Sequence, residues 1–346
     1  MTALTVPARP EQHTSLRPVP WRRMAWVTWR QHRFALGGAA ALLGALAVYL
    51  WLTGLQVHHA YAAATGCRPA SSGDCGALVG YFLSTYNSTA QIIAAMLQAV
   101  PALIGAFVGA PVLARELETG TFRYAWTQGF GRTRWTVAKL VPLAIVVTAA
   151  AGLFSLLFSW YYQPFFADRM QVPQVPLAPA VFDLRGVAFA AWTLAAFAIG
   201  ALAGMLIRRV VPAIAATLAI YTGLALAAGL YLRQHYLTPL AARNADPASS
   251  AWIISQQWYT RGGQPVSQSA LGQVLQQGAP QLAGKGGVPQ SPDVTQYLIR
   301  HGYTLWTNYQ PGSRFWPFQW IEGGWLLALS VLLIAATIWL VRRRAA

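Results

Sequence analysis

The chain has 346 residues, of which 55% are hydrophobic and only 10% are charged. Soluble domains carry about 25% charged residues, so this composition excludes an ordinary soluble protein and predicts a multi-pass membrane protein. A net charge of +16 would indicate nucleic-acid binding in a soluble chain. Here the basic residues lie between apolar segments, where membrane topology places them. We therefore expect membrane lipids as partners, and no nucleic acid.

The N-terminal region divides into two parts. Residues 1–20 are rich in proline and polar residues and are expected to form a disordered tail. Residues 21–34 set Trp and Met against Arg and His, which is typical of an amphipathic interfacial helix with aromatic side chains inward and cations facing anionic lipid. The alternative is a helix docked on neighbouring spans.

Six apolar runs follow, each near the roughly 20 residues that cross about 30 Å of hydrocarbon. They are approximately Ala35–Leu55, Gln91–Ala114, Leu140–Tyr161, Leu184–Ile207, Val211–Leu232 and Trp320–Val341. The fold class is therefore expected to be an all-α polytopic membrane protein. Five helices lie within residues 35–232, and the sixth lies within residues 320–346 together with a basic C-terminal tail.

Basic residues predict the orientation of these spans. The N-terminal lead, residues 115–139, Arg208–Arg209 and residues 342–344 hold 16 of the 25 Lys and Arg residues, all on one side of an even-numbered bundle. The positive-inside rule makes that side cytoplasmic, with both termini inside. Residues 56–90, 162–183 and 233–319 are then expected outside.

The first outer segment contains the chain's two cysteines, Cys67 and Cys75. On an oxidising face, two cysteines that close a small loop rich in Pro, Gly and Ser indicate a disulfide. Free thiols are one alternative. A metal site is another, but it would need His58 and His59 to complete a tetrahedral set, and we expect none.

Residues 115–139 form a dense polar interruption between the second and third spans. Glu116 and Glu118 precede Gly120. The basic residues are Arg115, Arg123, Arg132, Arg134 and Lys139, and the aromatic residues between them are Phe122, Tyr124, Trp126, Phe130 and Trp135. A short connection needs no such content, so we predict a structured cytoplasmic element that contacts another protein. The alternative is a charged loop that only sets topology.

Residues 233–319 are too long for a simple connection and too rich in Trp, Tyr and Leu for a flexible linker. They predict a small extracytoplasmic subdomain with helices at Val266–Gln277 and Pro292–His301. Glu322 lies near the outer edge of the last span. It is expected either to hydrogen-bond the subdomain or to be solvated at the interface.

Glycine pairs within the spans predict close helix packing. Gly105 and Gly109 form a G-x-x-x-G pattern in the second span, and Gly200 and Gly204 form another in the fourth. This spacing lets helix backbones approach each other in lipid.

The sequence lacks the familiar catalytic and nucleotide-binding motifs. It contains no H-E-x-x-H, no G-x-S-x-G and no nucleotide-binding G-x-x-x-x-G-K-[ST] motif. Paired ionisable residues within the spans, which an ion-coupled carrier needs, are also not evident. We expect a non-enzymatic subunit with no cofactor of its own, and any nucleotide energy must come from another chain.

The chain resembles the ABC-2 type permease subunits of ATP-binding-cassette exporters, particularly those of actinobacteria. The resemblance rests on the six-span topology, on Glu-Leu-Glu-Thr-Gly-Thr-Phe-Arg-Tyr-Ala-Trp-Thr-Gln at residues 116–128, on Arg-Thr-Arg-Trp at residues 132–135, and on the aromatic entry to the last span at residues 309–322. It implies a coupling helix after the second span. It also implies two ABC ATPase subunits that hold ATP and Mg, and a second permease copy or a paralogue.

This resemblance assigns roles to particular residues. Those expected to engage the ATPase are Glu116, Glu118, Gly120, Arg123, Trp126, Arg132 and Arg134. The candidates for lining a translocation path come from the spans themselves, as uncharged polar or aromatic residues: Gln98, Ser155, Ser159, Thr193, Thr217 and Tyr221. The expected function is export of a hydrophobic or amphipathic substrate such as a drug, an antibiotic or a lipid, across a bacterial inner membrane. The outer insertion is larger than in glycan exporters of this class, which disfavours polysaccharide export.

Two other functions remain as hypotheses. The first is a membrane sensor or assembly protein whose outer subdomain binds a ligand. The second is a membrane enzyme that acts on lipids, which would need a catalytic cluster at one interface.

Overall fold

A computed structural model describes residues 21–67, 73–120, 131–166, 175–245, 247–283 and 291–344. Within these ranges, six helical segments are long and apolar enough to cross a membrane, which confirms the expected multi-pass helical fold. We number them spans 1 to 6: Trp21–Gly66, Gly73–Thr119, Arg132–Phe166, Ala188–Ile207, Val210–His235 and Gly312–Arg343. The expected disordered tail, residues 1–20, lies outside the described residues.

Several spans combine different helix types. Span 2 contains α-helices Gly73–Phe82, Ser88–Leu97, Ala99–Ile104 and Pro111–Thr119, with π-helical turns at Leu83–Asn87 and Gly105–Gly109. Span 3 is an α-helix over Arg132–Tyr162 that ends in a 3-10 turn at Gln163–Phe166. Span 5 is α-helical over Val210–Ala227, π-helical over Ala228–Leu232 and 3-10 over Arg233–His235. Span 6 begins with a 3-10 turn at Gly312–Arg314 and continues as an α-helix over Phe315–Arg344.

The helix bundle has two ends, which we name by the connections that they carry. We call the end that carries the 120–131 and 208–209 connections the basic end. The other end, which carries the 67–73, 167–187 and 236–311 connections, is the sheet end.

Span 1 is longer than the sequence indicated. The helix is continuous from Trp21 to Gly66, so residues 21–34 are not separated by a break from the first span. No proline interrupts this stretch, and Ala and Leu, which are strong helix formers, surround Gly37 and Gly38. At 1.5 Å per residue, its 46 residues extend roughly 70 Å, well beyond the hydrocarbon thickness.

Helices also replace much of the loop expected at residues 56–90. Span 1 continues to Gly66, and span 2 begins at Gly73. A disulfide between Cys67 and Cys75, with Cα atoms 5.6 Å apart, joins the two helix ends and confirms the expected pairing. The first two spans therefore form a cross-linked helical hairpin at the sheet end.

Span 4 is the centre of the bundle. It is the most buried span, and it packs against spans 2, 3, 5 and 6. Its contact with span 2 is made by the two predicted glycine pairs. A Cβ atom added at Gly200 would lie 2.3 Å from the Gly105 carbonyl oxygen, and one at Gly109 would lie 2.6 Å from the Phe197 carbonyl oxygen. The glycine patterns thus mark a real backbone-to-backbone contact.

A four-stranded antiparallel sheet lies between spans 5 and 6, and the sequence analysis did not predict it. Its strands are β1 Leu240–Arg243, β2 Trp252–Tyr259, β3 Pro265–Val266 and β4 Thr304–Gln310, in the order β1-β4-β2-β3. The central pair, β2 and β4, is irregular in register between Ile253 and Ser255.

Two helices cover one face of this sheet, near the positions that the sequence predicted. They span Gln268–Gly278 and Pro292–Arg300, and a 3-10 turn, Pro280–Leu282, follows the first. Ser267 and Ser291 cap them, since their side-chain oxygens accept from the backbone N–H groups of Ala270 and Val294. Their apolar faces pack on the sheet in a core of Trp258, Leu271, Leu275, Val294, Leu298 and Leu305. We call residues 240–310 the sheet domain.

Candidate functional site

The polar element between spans 2 and 3 lies at the basic end. The last helix of span 2 ends at Thr119, and Gly120 follows in the left-handed conformation, with φ 72° and ψ 3°. Glycine adopts this conformation without steric cost, which is why it commonly terminates helices. The chain is described again from Gly131, and span 3 begins at Arg132. Residues 121–130, including Arg123 and Trp126, lie outside the described residues.

A buried ion pair connects span 2 to span 3. The Lys139 ammonium pairs with the Glu116 carboxylate, and the Lys139 side chain is almost entirely buried. The Lys139 Nζ atom also lies 4.5 Å from the centroid of the Trp135 ring, a cation–π distance. A buried ammonium is costly without a counter-charge, so Glu116 is required to hold Lys139 in place.

A second carboxylate connects span 2 to span 5. An oxygen of Glu118 accepts a hydrogen bond, 3.0 Å long, from the backbone N–H of Val210, the first residue of span 5. The preceding residue, Arg209, provides no side-chain cap for this helix. A carboxylate is favourable at a helix N-terminus, because it satisfies a free N–H and complements the helix dipole. The end of span 2 is therefore bound to two other spans.

Basic side chains surround these two carboxylates. Arg115 on span 2 is exposed, and Arg132 and Arg134 at the start of span 3 are partly exposed. Arg208 and Arg209, between spans 4 and 5, are exposed as well. The described part of the polar element therefore presents a basic surface. Glu116 and Glu118 attach it to spans 3 and 5.

A second polar cluster lies at the sheet end, and the sequence analysis missed it. Arg233 at the end of span 5 is fully buried and donates to both oxygens of Glu322 on span 6, at 2.8 and 3.0 Å. The same guanidinium pairs with Asp183, which precedes span 4, and it lies 4.3 Å from the centroid of the Phe182 ring. We call Asp183, Arg233 and Glu322 the ion cluster.

Two aromatic side chains complete the hydrogen bonds of Glu322. The Trp192 indole donates to one carboxylate oxygen at 2.8 Å, and the Tyr236 hydroxyl donates to the other at 3.1 Å. Of the two alternatives for Glu322, solvation is therefore wrong: the side chain is fully buried. Burial raises the pKa of the Asp183 carboxyl, Arg233 opposes this shift, and Glu322 adds to it.

A family model described as ABC-2 membrane transporter related matches residues 40–233, which is more than half of the chain. The chain belongs to this family. Neither a curated protein nor a solved structure matched the chain. The match runs from residue 40 within span 1 of this ABC-2 permease to Arg233 near the end of span 5, before the sheet domain.

The residues predicted to engage an ATPase lie in different environments in the ABC-2 permease. Glu116 and Glu118 make contacts within the chain, and Gly120 terminates a helix. Arg132 and Arg134 lie on the basic surface. Their role toward a partner remains a prediction, as does that of Arg123 and Trp126.

The residues predicted to line a path lie mostly inside the bundle. Ser155, Thr193, Thr217 and Tyr221 are buried. Ser159 is half-buried and donates to the Ser155 carbonyl, and Gln98 donates to the Pro179 and Ala180 carbonyls. None of the six lines the apolar groove between spans 1 and 2, which has a volume of about 430 Å³. Their role as path residues remains a prediction for this ABC-2 permease.

Sequence reasoning missed the ion cluster because its members lie far apart in the chain. Arg233 is separated from Asp183 by 50 residues and from Glu322 by 89 residues. A usable signal was present: Arg233 and Glu322 are isolated charges at the margins of apolar runs. Among the described residues, no group of three or more His, Cys, Asp or Glu is placed to hold a metal ion.

Proposed function

We propose that this ABC-2 permease is the membrane subunit of an ATP-binding-cassette exporter, driven by ATP hydrolysis on separate ATPase subunits. The observation that carries this proposal is the attachment of the span 2 terminus to span 3 through Glu116–Lys139 and to span 5 through Glu118 and the Val210 N–H. A partner that moves the polar element would move three spans together. The exposed arginines around it supply the contact surface.

The internal contacts provide a path for that movement. Span 2 also packs backbone to backbone on span 4 through Gly105, Gly109 and Gly200. Contacts this close leave little room for sliding, so a displacement at the basic end is transmitted into the centre of the bundle. Nucleotide binding would close the ATPases and hydrolysis would reset them, with ATP and Mg held on the ATPase. Packed interfaces of this kind switch between discrete arrangements.

A second permease copy, or a paralogue, completes the transporter in this proposal. Four of the six polar residues expected along a path are buried within one chain. A pathway is therefore better supplied by surfaces that two chains share than by the interior of one. Two ATPase subunits would then bind below the pair, one for each polar element.

A hydrophobic or amphipathic cargo is supported by the apolar groove between spans 1 and 2. It is lined only by Phe, Leu, Ile, Val, Ala and Gly residues, among them Phe34, Leu42 and Phe107. Such a surface suits a drug, an antibiotic or a lipid better than a charged solute. Export places the basic end in the cytoplasm of a bacterial cell, with both termini inside, as the positive-inside rule predicts.

The experiment is co-purification of the chain with the ATPase encoded beside it. Glu116 and Glu118 are poor targets, since changing them also breaks internal contacts. The informative variant is Arg123→Glu with Trp126→Ala, which should reduce recovered ATPase by about tenfold or more, the size of effect expected for interface anchors. Arg300→Glu, an exposed charge reversal in the sheet domain, is the matched control and should bind as wild type does.

The wild-type result decides between the proposed exporter and the sensor hypothesis. A folded wild-type chain that recovers no ATPase contradicts the exporter. In that case a sensor or assembly protein, with the sheet domain as its ligand-binding part, becomes the better explanation.

A further inference from the structure

The ion cluster holds both chain connections of the sheet domain. The first connection follows the last turn of span 5, which contains Arg233, and reaches β1 at Leu240. The second returns from β4 to span 6, where Glu322 lies about two turns into the helix. Because Arg233 binds Glu322 directly, the two connections are joined at the point where they enter the bundle.

Additional hydrogen bonds hold the segment between the ion cluster and β1. The Trp325 indole donates to the Tyr236 hydroxyl at 2.9 Å, and that hydroxyl donates to Glu322. Gln310 at the end of β4 donates to the Leu237 carbonyl at 2.7 Å, and Arg314 donates to the Thr238 carbonyl at 2.7 Å. A displacement of the sheet domain relative to spans 5 and 6 must therefore disturb these contacts.

Fold stability alone does not account for a buried ion cluster. Moving charged groups out of water costs several kcal/mol for each ion, and apolar residues of similar volume are often as stabilising or more so. The surroundings of the ion cluster are apolar and aromatic, with Phe182, Trp192 and Phe318 all buried nearby. Apolar side chains would fit these surroundings, so the charges need another explanation.

The ion cluster is also incompletely satisfied. One guanidinium faces two carboxyl groups, and the Arg233 Nη1 atom is buried without a hydrogen-bond partner among the described residues. Such a group has hydrogen-bonding capacity left for water or for a changed arrangement. Ion pairs at moving interfaces commonly break and re-form between two states.

We propose that Asp183, Arg233 and Glu322 form a latch that opens and closes during transport, and that it joins spans 5 and 6 and the segment before span 4 where the two connections of the sheet domain leave the bundle. Closed, it makes the sheet domain and the ends of these spans move as one body. Open, it frees the sheet end of the bundle while the basic end is driven by the ATPase. This inference rests on the proposed exporter function.

Hydrogen exchange on the purified complex with the ATPase tests the latch. Backbone amides of residues 233–239 and 315–325 should exchange severalfold faster in a complex trapped with ATP and orthovanadate than in a nucleotide-free one. The triple variant Asp183→Leu, Arg233→Met, Glu322→Leu should fold and bind the ATPase, because apolar packing replaces the charges. Its exchange in these segments should no longer respond to nucleotide, and its ATP hydrolysis should fall severalfold.

A control and a second variant keep the test decisive. Thr337→Val removes a buried hydroxyl from span 6, whose partner is the Leu333 carbonyl, and should leave the nucleotide response intact. If the triple variant does not fold, Tyr236→Phe removes one hydrogen bond to Glu322 while keeping all three ionisable groups, and it should raise exchange in the nucleotide-free complex.

The outcomes separate the latch from the exporter function. The ATPase could bind the wild-type chain and hydrolyse ATP while hydrogen exchange in residues 233–239 and 315–325 stays the same with and without nucleotide. That result would contradict the latch and leave the exporter proposal intact. Wild-type hydrolysis by a folded triple variant would overturn the latch as well. If no ATPase binds the folded wild-type chain, the exporter itself fails.

Discussion

Acidic side chains in this protein are few, and four of the six within the described ranges hold particular partners inside the chain. Glu116 holds Lys139, and Glu118 caps span 5. Glu322 and Asp183 hold Arg233 at the opposite end of the bundle. At Lys139 and Arg233, which are buried, the carboxylates compensate a cation that would otherwise be costly to bury. Removing one member of a buried charge pair should therefore lower the stability of the fold more than removing both members.

The Glu116–Lys139 pair tests that expectation. Glu116→Ala leaves the buried ammonium without its counter-charge and should destabilise the bundle by about 3–5 kcal/mol. The double variant Glu116→Leu, Lys139→Met removes both charges and should recover most of that loss. Thermal unfolding of the purified chain in detergent measures both changes. Equal destabilisation by the single and double variants would show that the pair does not depend on charge compensation.

Asp183 predicts a pH dependence of stability. Burial raises the pKa of its carboxyl to about 8, with Arg233 opposing and Glu322 adding to the shift. Tyr221 and Tyr236 also face the ion cluster, but phenols ordinarily titrate near pH 10. A raised pKa means that the folded state binds this proton more tightly than the unfolded chain does. The free energy of unfolding should therefore fall as pH rises from about 4 through about 8.

Melting temperatures at about pH 5.5 and about pH 8.5 measure this effect. The wild-type chain should melt at a lower temperature at the higher pH, and Asp183→Asn should lose part of that difference because it cannot ionise. An identical pH profile for the two proteins would contradict the raised pKa.

At the scale of elements, glycine decides how spans 2 and 4 meet. Added Cβ atoms at Gly105, Gly109, Gly200 and Gly204 would all lie within 2.6 Å of backbone oxygens on the facing helix. Backbone atoms cannot move aside as a side chain can, so even a methyl group forces the helices apart. The two G-x-x-x-G patterns in the sequence are thus the two halves of one contact.

Substitution of Gly200 tests this contact. Gly200→Leu should separate spans 2 and 4 at a cost of at least about 1–3 kcal/mol, seen as lost monodispersity in size-exclusion chromatography and a lower melting temperature. Gly223→Leu is the matched control, because Gly223 on span 5 has no neighbouring atom within 4 Å of an added Cβ. If both variants behave alike, close packing at Gly200 does not matter for folding.

At the scale of the whole molecule, the bundle has two chemically different ends. The basic end carries the arginines around spans 2, 3, 4 and 5, and the sheet end carries the disulfide, the ion cluster and the sheet domain. Disulfides persist mainly in oxidising compartments, so we expect the sheet end to lie outside the cell. The same orientation follows from the positive-inside rule.

Cysteine labelling in intact cells measures that orientation. Both native cysteines are in the disulfide, so single new cysteines report alone. Arg300→Cys in the sheet domain should react with a membrane-impermeant maleimide in intact cells. Thr133→Cys at the exposed start of span 3 should react only after permeabilisation. The opposite pattern would place both termini outside and would contradict a cytoplasmic coupling element.

The sequence by itself determined the parts of this protein that local patterns encode. Apolar runs indicated six spans, two cysteines in a short loop indicated the disulfide, and glycine spacing indicated close helix packing. Two helices of the sheet domain were visible from their apolar periodicity. Each of these features depends on residues close together in the chain, and for that reason one sequence suffices to find them.

Only the tertiary structure decided which distant residues meet. β1 and β4 pair across more than 60 residues, as in Arg243 with Trp306, and neither strand can be recognised as part of a sheet without its partner. Arg233 and Glu322 each look like a charge at a membrane margin, and Glu116 looks like a free contact for a partner protein. Their roles follow from the helices that packing brings beside them, because a buried charge must find its counter-charge wherever the fold places one.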